Sequence, residues 1–133
     1  MPLLHFSQQN LKQSEAKLEA KILELSQELE STIIDSSGFY SMLHKTANQA
    51  EELKSNTLRA KAYNNLAIWH SLSISLDSVK FYYKESAKFF KESNSPLLEA
   101  ETYLKLEDIY KQRGEYDEAM MVDFKSLELY ENF

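Results

Sequence analysis

At 133 residues a single domain with a modest core is expected, and two glycines, two prolines and 27% charged residues, with Glu, Lys, Leu and Ala abundant, favour helix nearly throughout. The expected class is therefore all-α. A formal net charge of -6 argues against a phosphate-binding surface, so nucleic acid is not expected as a partner, and the absence of cysteine excludes disulfides and thiolate metal sites.

The start, "MPLLHFSQQNLKQ", has neither a basic stretch nor a long apolar one, and no run nears the roughly 18 apolar residues that span a bilayer. Neither a membrane nor secretion is expected, and the chain is read as cytoplasmic. From Ser7 a long polar–apolar pattern runs to Gly38, with Leu18, Ile22, Leu25 and Leu29 at spacings of four and three, the stripe of one helical face. Leu4, Leu11, Leu18 and Leu25 also recur every seven residues, although Gln8 and Glu15 interrupt that seam. A second helix, "FYSMLHKTANQAEELKSN", aligns Tyr40, Leu43, Ala47 and Ala50, and a third, "LRAKAYNNLAIWHSL", aligns Ala60, Tyr63, Ala67 and His70 beside Leu66. "KFYYKESAKFF" carries Phe81, Tyr82, Tyr83, Phe89 and Phe90, which at helical spacing divide between two packing faces; with only three lysines and one glutamate from Lys80 to Lys88 it does not fit a membrane-surface helix. Short breaks at "IDSSG", "KSNT", "SISLD", "ESNSP" and "RG" make consecutive helices antiparallel neighbours, about six in all.

A shift of 40 residues pairs Ser55 with Ser95, Leu58 with Leu98, Ala60 with Ala100, Tyr63 with Tyr103 and Leu66 with Leu106, then Asp77 with Asp117 and Ser86 with Ser126. Backwards it pairs Ala47 with Ala87 and Glu52 with Glu92. The matches fall at helix-face and turn positions, where a duplicated helix hairpin needs them.

In "ETYLKLEDIYKQRGEYDEA", Tyr103, Leu106, Tyr110, Gly114, Tyr116 and Ala119 resemble the tetratricopeptide-repeat consensus, in its longer-helix variant found in bacterial signalling proteins and transcriptional regulators. The copy before it keeps Tyr63, Leu66 and Ala67 but has His70, Ile74 and Val79 where Tyr, Gly and Ala are usual. The resemblance divides one domain, 1–133, into a degenerate unit at 12–54 and repeats at 58–93 and 97–131. It implies a right-handed α–α superhelix in which Gly114 ends one helix in a left-handed conformation.

Function, on this resemblance, is protein–protein interaction through a groove lined by the first helices of successive hairpins. Candidate groove residues are Lys61, Asn64, Asn65, Ile68 and Ser71 from one hairpin and Glu101, Leu104, Lys105, Asp108 and Lys111 from the next. Asn65 is singled out because its amide both donates and accepts, and an asparagine is otherwise unfavourable inside a helix. Asn65 and Lys105 match two positions of the Lys/Asn clamp by which one subclass grips a C-terminal carboxylate, but Glu24, Glu28 and Glu101 occupy the other three, so a neutral or basic protein or peptide segment is the expected ligand. The module is read as a possible regulatory or sensory segment of a larger bacterial signalling protein.

The last helix is apolar on more than one face, with Ala119, Tyr130 and Phe133 on one side and Met120, Phe124 and Leu127 on another. Met120, Phe124, Leu127 and Phe133 are candidate interface residues: the chain continues as a longer array, another subunit covers the face, or it repacks locally. A homo-oligomer built on this helix or on the N-terminal leucine heptads is the alternative function. His5, His44 and His70 share no metal-ligand spacing, His70 is read as a structural histidine on the apolar face, and there is no phosphate loop or nucleophile elbow. No catalytic residue, metal or cofactor is expected.

Overall fold

The computed structural model describes residues 2–30, 37–72 and 75–132, with side chains from 7, 38 and 75 onward in those segments. Six helices and no strand occur among them: α1 (Pro2–Leu29), α2 (Ser37–Glu52), α3 (Asn56–Leu72), α4 (Leu76–Glu92), α5 (Pro96–Gln112) and α6 (Tyr116–Glu131). The class is all-α. Gly38, read as the end of the first helical stretch, instead lies in the first turn of α2. His5, Leu4, Ile74 and Phe133 fall outside the described side chains.

From α3 onward the helices start at residues 56, 76, 96 and 116, so the 40-residue repeat is two 20-residue units of helix plus turn. Three of the turns share one geometry. Lys54, Asn94 and Gly114 take left-handed backbone, with φ of 56°, 55° and 75°. In each turn the following amide donates back to the last helical turn: Ser55 to the Ala50 carbonyl (3.1 Å), Ser95 to Phe90 (2.9 Å) and Glu115 to Tyr110 (2.8 Å). The left-handed residue itself donates to Glu51, Lys91 or Lys111, each at 3.0 Å, which completes a Schellman cap. Gly114 is thus the left-handed helix end expected of it, and Asn94 and Lys54 adopt the same conformation without being glycine.

The duplication extends into the interior. Ser86 Oγ donates to the Ala60 carbonyl at 2.8 Å, and 40 residues on Ser126 Oγ donates to the Ala100 carbonyl at 3.1 Å. Fully buried Ala60 and Ala100 let the antiparallel helices approach closely enough for a serine to bridge them.

Two main cores result. One joins Leu18, Ile22, Leu25 and Leu29 of α1 to Leu43, Ala47 and Ala50 of α2 and to Leu58, Ala62 and Leu66 of α3. The other joins Ala67 to Val79 and Tyr83 of α4, Leu106, Ile109 and Tyr110 of α5 and Ala119 and Val122 of α6. An aromatic stack ties the two together: Tyr63 lies between Tyr82 (5.8 Å) and Phe89 (5.6 Å), and Tyr82 stacks in turn on His70 (5.3 Å). His70 is half-buried and its Nε2 lies 3.3 Å from the Tyr40 hydroxyl. Burial, and then the proximity of His44, holds its imidazole below the ordinary value. In "KFYYKESAKFF", Tyr83, Phe89 and Phe90 are buried, whereas Phe81 remains exposed.

Candidate functional site

The first helices of the three hairpins, α1, α3 and α5, enclose a groove of about 210 Å³. Its apolar surface comes from Ile22 and Leu23 of α1, Phe90 of α4 and Leu98 of α5; its polar edge comes from Glu19, Ser26, Lys61, Asn64, Glu101, Thr102 and Lys105. Leu23 and Leu98 are 58% and 37% exposed, so the apolar floor is open to a ligand.

The rim is electrically balanced, two carboxylates against two ammonium groups. Lys61 Nζ lies 3.1 Å from Glu19 Oε1, bridging α3 to α1. Lys105 Nζ donates to Asn64 Oδ1 at 3.2 Å, bridging α5 to α3, and sits 5.7 Å from the centre of the Tyr83 ring. Although the residue as a whole is exposed, desolvation of its ammonium holds Lys105 below the ordinary lysine range, with Glu101 acting in the opposite direction. The rim cations are therefore already engaged, which suits an uncharged occupant better than an anionic one.

Of the sequence-predicted groove residues, Lys61, Asn64, Lys105 and Glu101 come together here. Asn65 does not. It is 1% exposed, its Nδ2 donates to the Ile22 carbonyl at 3.1 Å, and its Oδ1 accepts from Ser26 Oγ at 2.8 Å. Its amide is spent on joining α3 to α1, so Asn65 is a buried structural residue and not a ligand contact. Ile68 is corrected as well: it is half-buried against the core that α1 shares with α2 and α3, and it does not line the groove. Leu104 and Asp108 are exposed on α5 but do not line the groove. Ser71 donates to the Ile68 carbonyl at 2.6 Å, and Lys111 pairs with Glu107 at 2.6 Å.

Leu23, Phe90, Leu98, Ser26 and Thr102 are groove residues that the sequence did not single out. One signal was available for the Asn65 correction: Ser26 is a polar residue flanking the Ile22–Leu29 stripe, and a polar group on each of two apolar faces marks a buried hydrogen-bonded pair.

The interface candidates Met120, Phe124 and Leu127 are exposed on α6, at 59%, 63% and 52%. Among the described residues there is no cluster of three or more His, Asp or Glu that could hold a metal ion, and no helix is long and apolar enough to cross a membrane. Comparison of the chain with protein-family models, with curated proteins and with solved structures finds no match.

Proposed function

We propose that the chain is a protein-interaction module of tetratricopeptide type that receives an extended, uncharged peptide segment in the groove between α1, α3 and α5. The observation that carries this reading is the pairing of an open apolar floor, Leu23 and Leu98, with a rim of equal and opposite charge. At about 210 Å³ the groove is smaller than the roughly 300–1,000 Å³ of small-molecule sites, so it suits side-chain anchors of a peptide whose backbone runs outside it. The family resemblance adds a role in regulation or sensing within a larger bacterial signalling protein.

Selection from a random peptide library on the purified chain, followed by calorimetry, tests the proposal. Selected peptides should share an apolar anchor and lose about tenfold in affinity on Leu23→Glu or Leu98→Glu, the cost of placing a charge on the floor. Peptides whose binding ignores both substitutions would remove the groove from consideration.

A further inference from the structure

We propose that the exposed face of α6 docks an amphipathic helix of a partner protein whose apolar stripe is flanked by lysine or arginine. This does not rest on the groove, which α6 does not line.

The protein contains its own template for the contact. Along α4, Leu76, Tyr83, Ala87 and Phe90 are half-buried or buried, Tyr83 at 7%, Ala87 at 2% and Phe90 at 4%, with α5 packed beyond them. The 40-residue shift carries these positions to Tyr116, Asp123, Leu127 and Tyr130 of α6, which are all exposed, Tyr116 at 67% and Leu127 at 52%. A helix in the place that α5 takes on α4 would cover them. The outward positions differ in kind between the two helices. Where α4 presents Lys84, Lys88 and Lys91, α6 presents Phe124, Glu128 and Glu131; Lys80, which on α4 is half-buried over the Tyr110 ring of α5 and pairs with Glu115, corresponds to Met120. An outer face that is basic on α4 is apolar and acidic on α6.

Charge selects the occupant. Asp117, Asp123, Glu128 and Glu131 border the apolar stripe, and Lys125, the one basic residue of α6, lies away from it, 5.7 Å from the Tyr103 ring. On α4 the α5 residue Lys105 places its ammonium over Tyr83; the equivalent of Tyr83 on α6 is Asp123. A cation in the position of Lys105 on an incoming helix would therefore meet a carboxylate. A second copy of α6 would instead set acidic borders against acidic borders, which disfavours self-pairing.

Fluorescence anisotropy with two labelled 18-residue helical peptides (length chosen to match about five turns) tests this. Both carry the same leucine stripe, one flanked by lysines and one by glutamates. The lysine peptide should bind about tenfold tighter than the glutamate peptide, from a few partly exposed ion pairs. Its binding should be lost in Met120→Ser/Leu127→Ser, and the preference should narrow or reverse in Asp123→Lys, with unchanged circular dichroism melting because all three residues are exposed. Equal affinity for the two peptides, no binding of either, or a preference unmoved by Asp123→Lys overturns the proposal. So does sedimentation that finds a dimer dissolved by Met120→Ser/Leu127→Ser, since a second copy would then be the occupant.

Discussion

Two side chains, Asn65 and His70, set the junction between the N-terminal helix pair and the rest of the chain. Asn65 is buried with both ends of its amide used, one on the Ile22 backbone and one on Ser26. Truncation removes both bonds between α3 and α1, although Ser26 Oγ keeps its own bond to the Ile22 carbonyl at 3.0 Å, and it leaves a gap at a fully buried position. Asn65→Ala should cost about 1–3 kcal/mol in urea unfolding; a variant of unchanged stability would contradict the burial. His70 is subject to a different constraint, since burial and the nearby His44 disfavour its charged form. Its native pKa is depressed below 6.5 by burial and by His44, so on acidification the unfolded chain takes up its proton before the native one does. Stability should be full above pH 6.5 and decline as the pH falls from there through the depressed native value. His70→Gln, which keeps a group able to bond Tyr40, should flatten that decline when melting temperature is followed from about pH 7 to 5.

At the scale of elements, a helix and turn of 20 residues is the unit, and a serine bridge joins the two units of each of the hairpins α3–α4 and α5–α6. Ser86 and Ser126 occupy equivalent positions on α4 and α6, and each donates to the carbonyl of an equivalent alanine on the preceding helix. Removing either hydroxyl should cost about 1 kcal/mol, because Ala60 and Ala100 keep their backbone partners and only one bond is lost. The two bonds lie in different hairpins and share no partner, so Ser86→Ala and Ser126→Ala should add within about 0.5 kcal/mol in a double variant. A marked departure from additivity, measured by denaturant midpoint, would mean that the hairpins communicate through more than their shared core. The same repetition explains what could be read before the structure. Ala60, Ala100 and the paired serines each had a counterpart 40 residues away, so turn and core positions supported one another, whereas Gly114 was legible as a turn on its own, with Ile74 at the matching position. The groove register was legible on the same basis for Lys61, Asn64 and Lys105. Asn65 and Ile68 were misplaced because Asn65 bonds to α1 and Ile68 packs on the core that α1 and α2 share with α3, and both helices belong to the degenerate unit where the repeat pattern gives no register. Leu23 and Leu98 went unnoticed because a single leucine off the apolar stripe is common on any surface.

For the whole molecule, cover is uneven along the chain, and stability should follow it. Helices α3, α4 and α5 each have neighbours on two sides, α6 rests on α5 alone, and the first half of α1 extends past the others. Residues 7–17 of α1 are exposed, except for the half-buried Glu15, and its burial begins at Leu18. A helical stretch of that length with no packed face is marginal in water, since helix stability in proteins comes mainly from tertiary burial. In a stack where each unit contacts only its neighbours, opening begins where a neighbour is missing. Amide hydrogen exchange should therefore be fastest over 7–17, intermediate in α6 and slowest in α3 to α5. Addition of the lysine-flanked helical peptide should slow exchange in α6 while leaving 7–17 unchanged, because the two ends of the stack are separated by four intervening helices. Protection of 7–17 as strong as that of α3, in the chain alone and independent of its concentration, would show that the first half of α1 is covered from within the molecule and would refute this ordering.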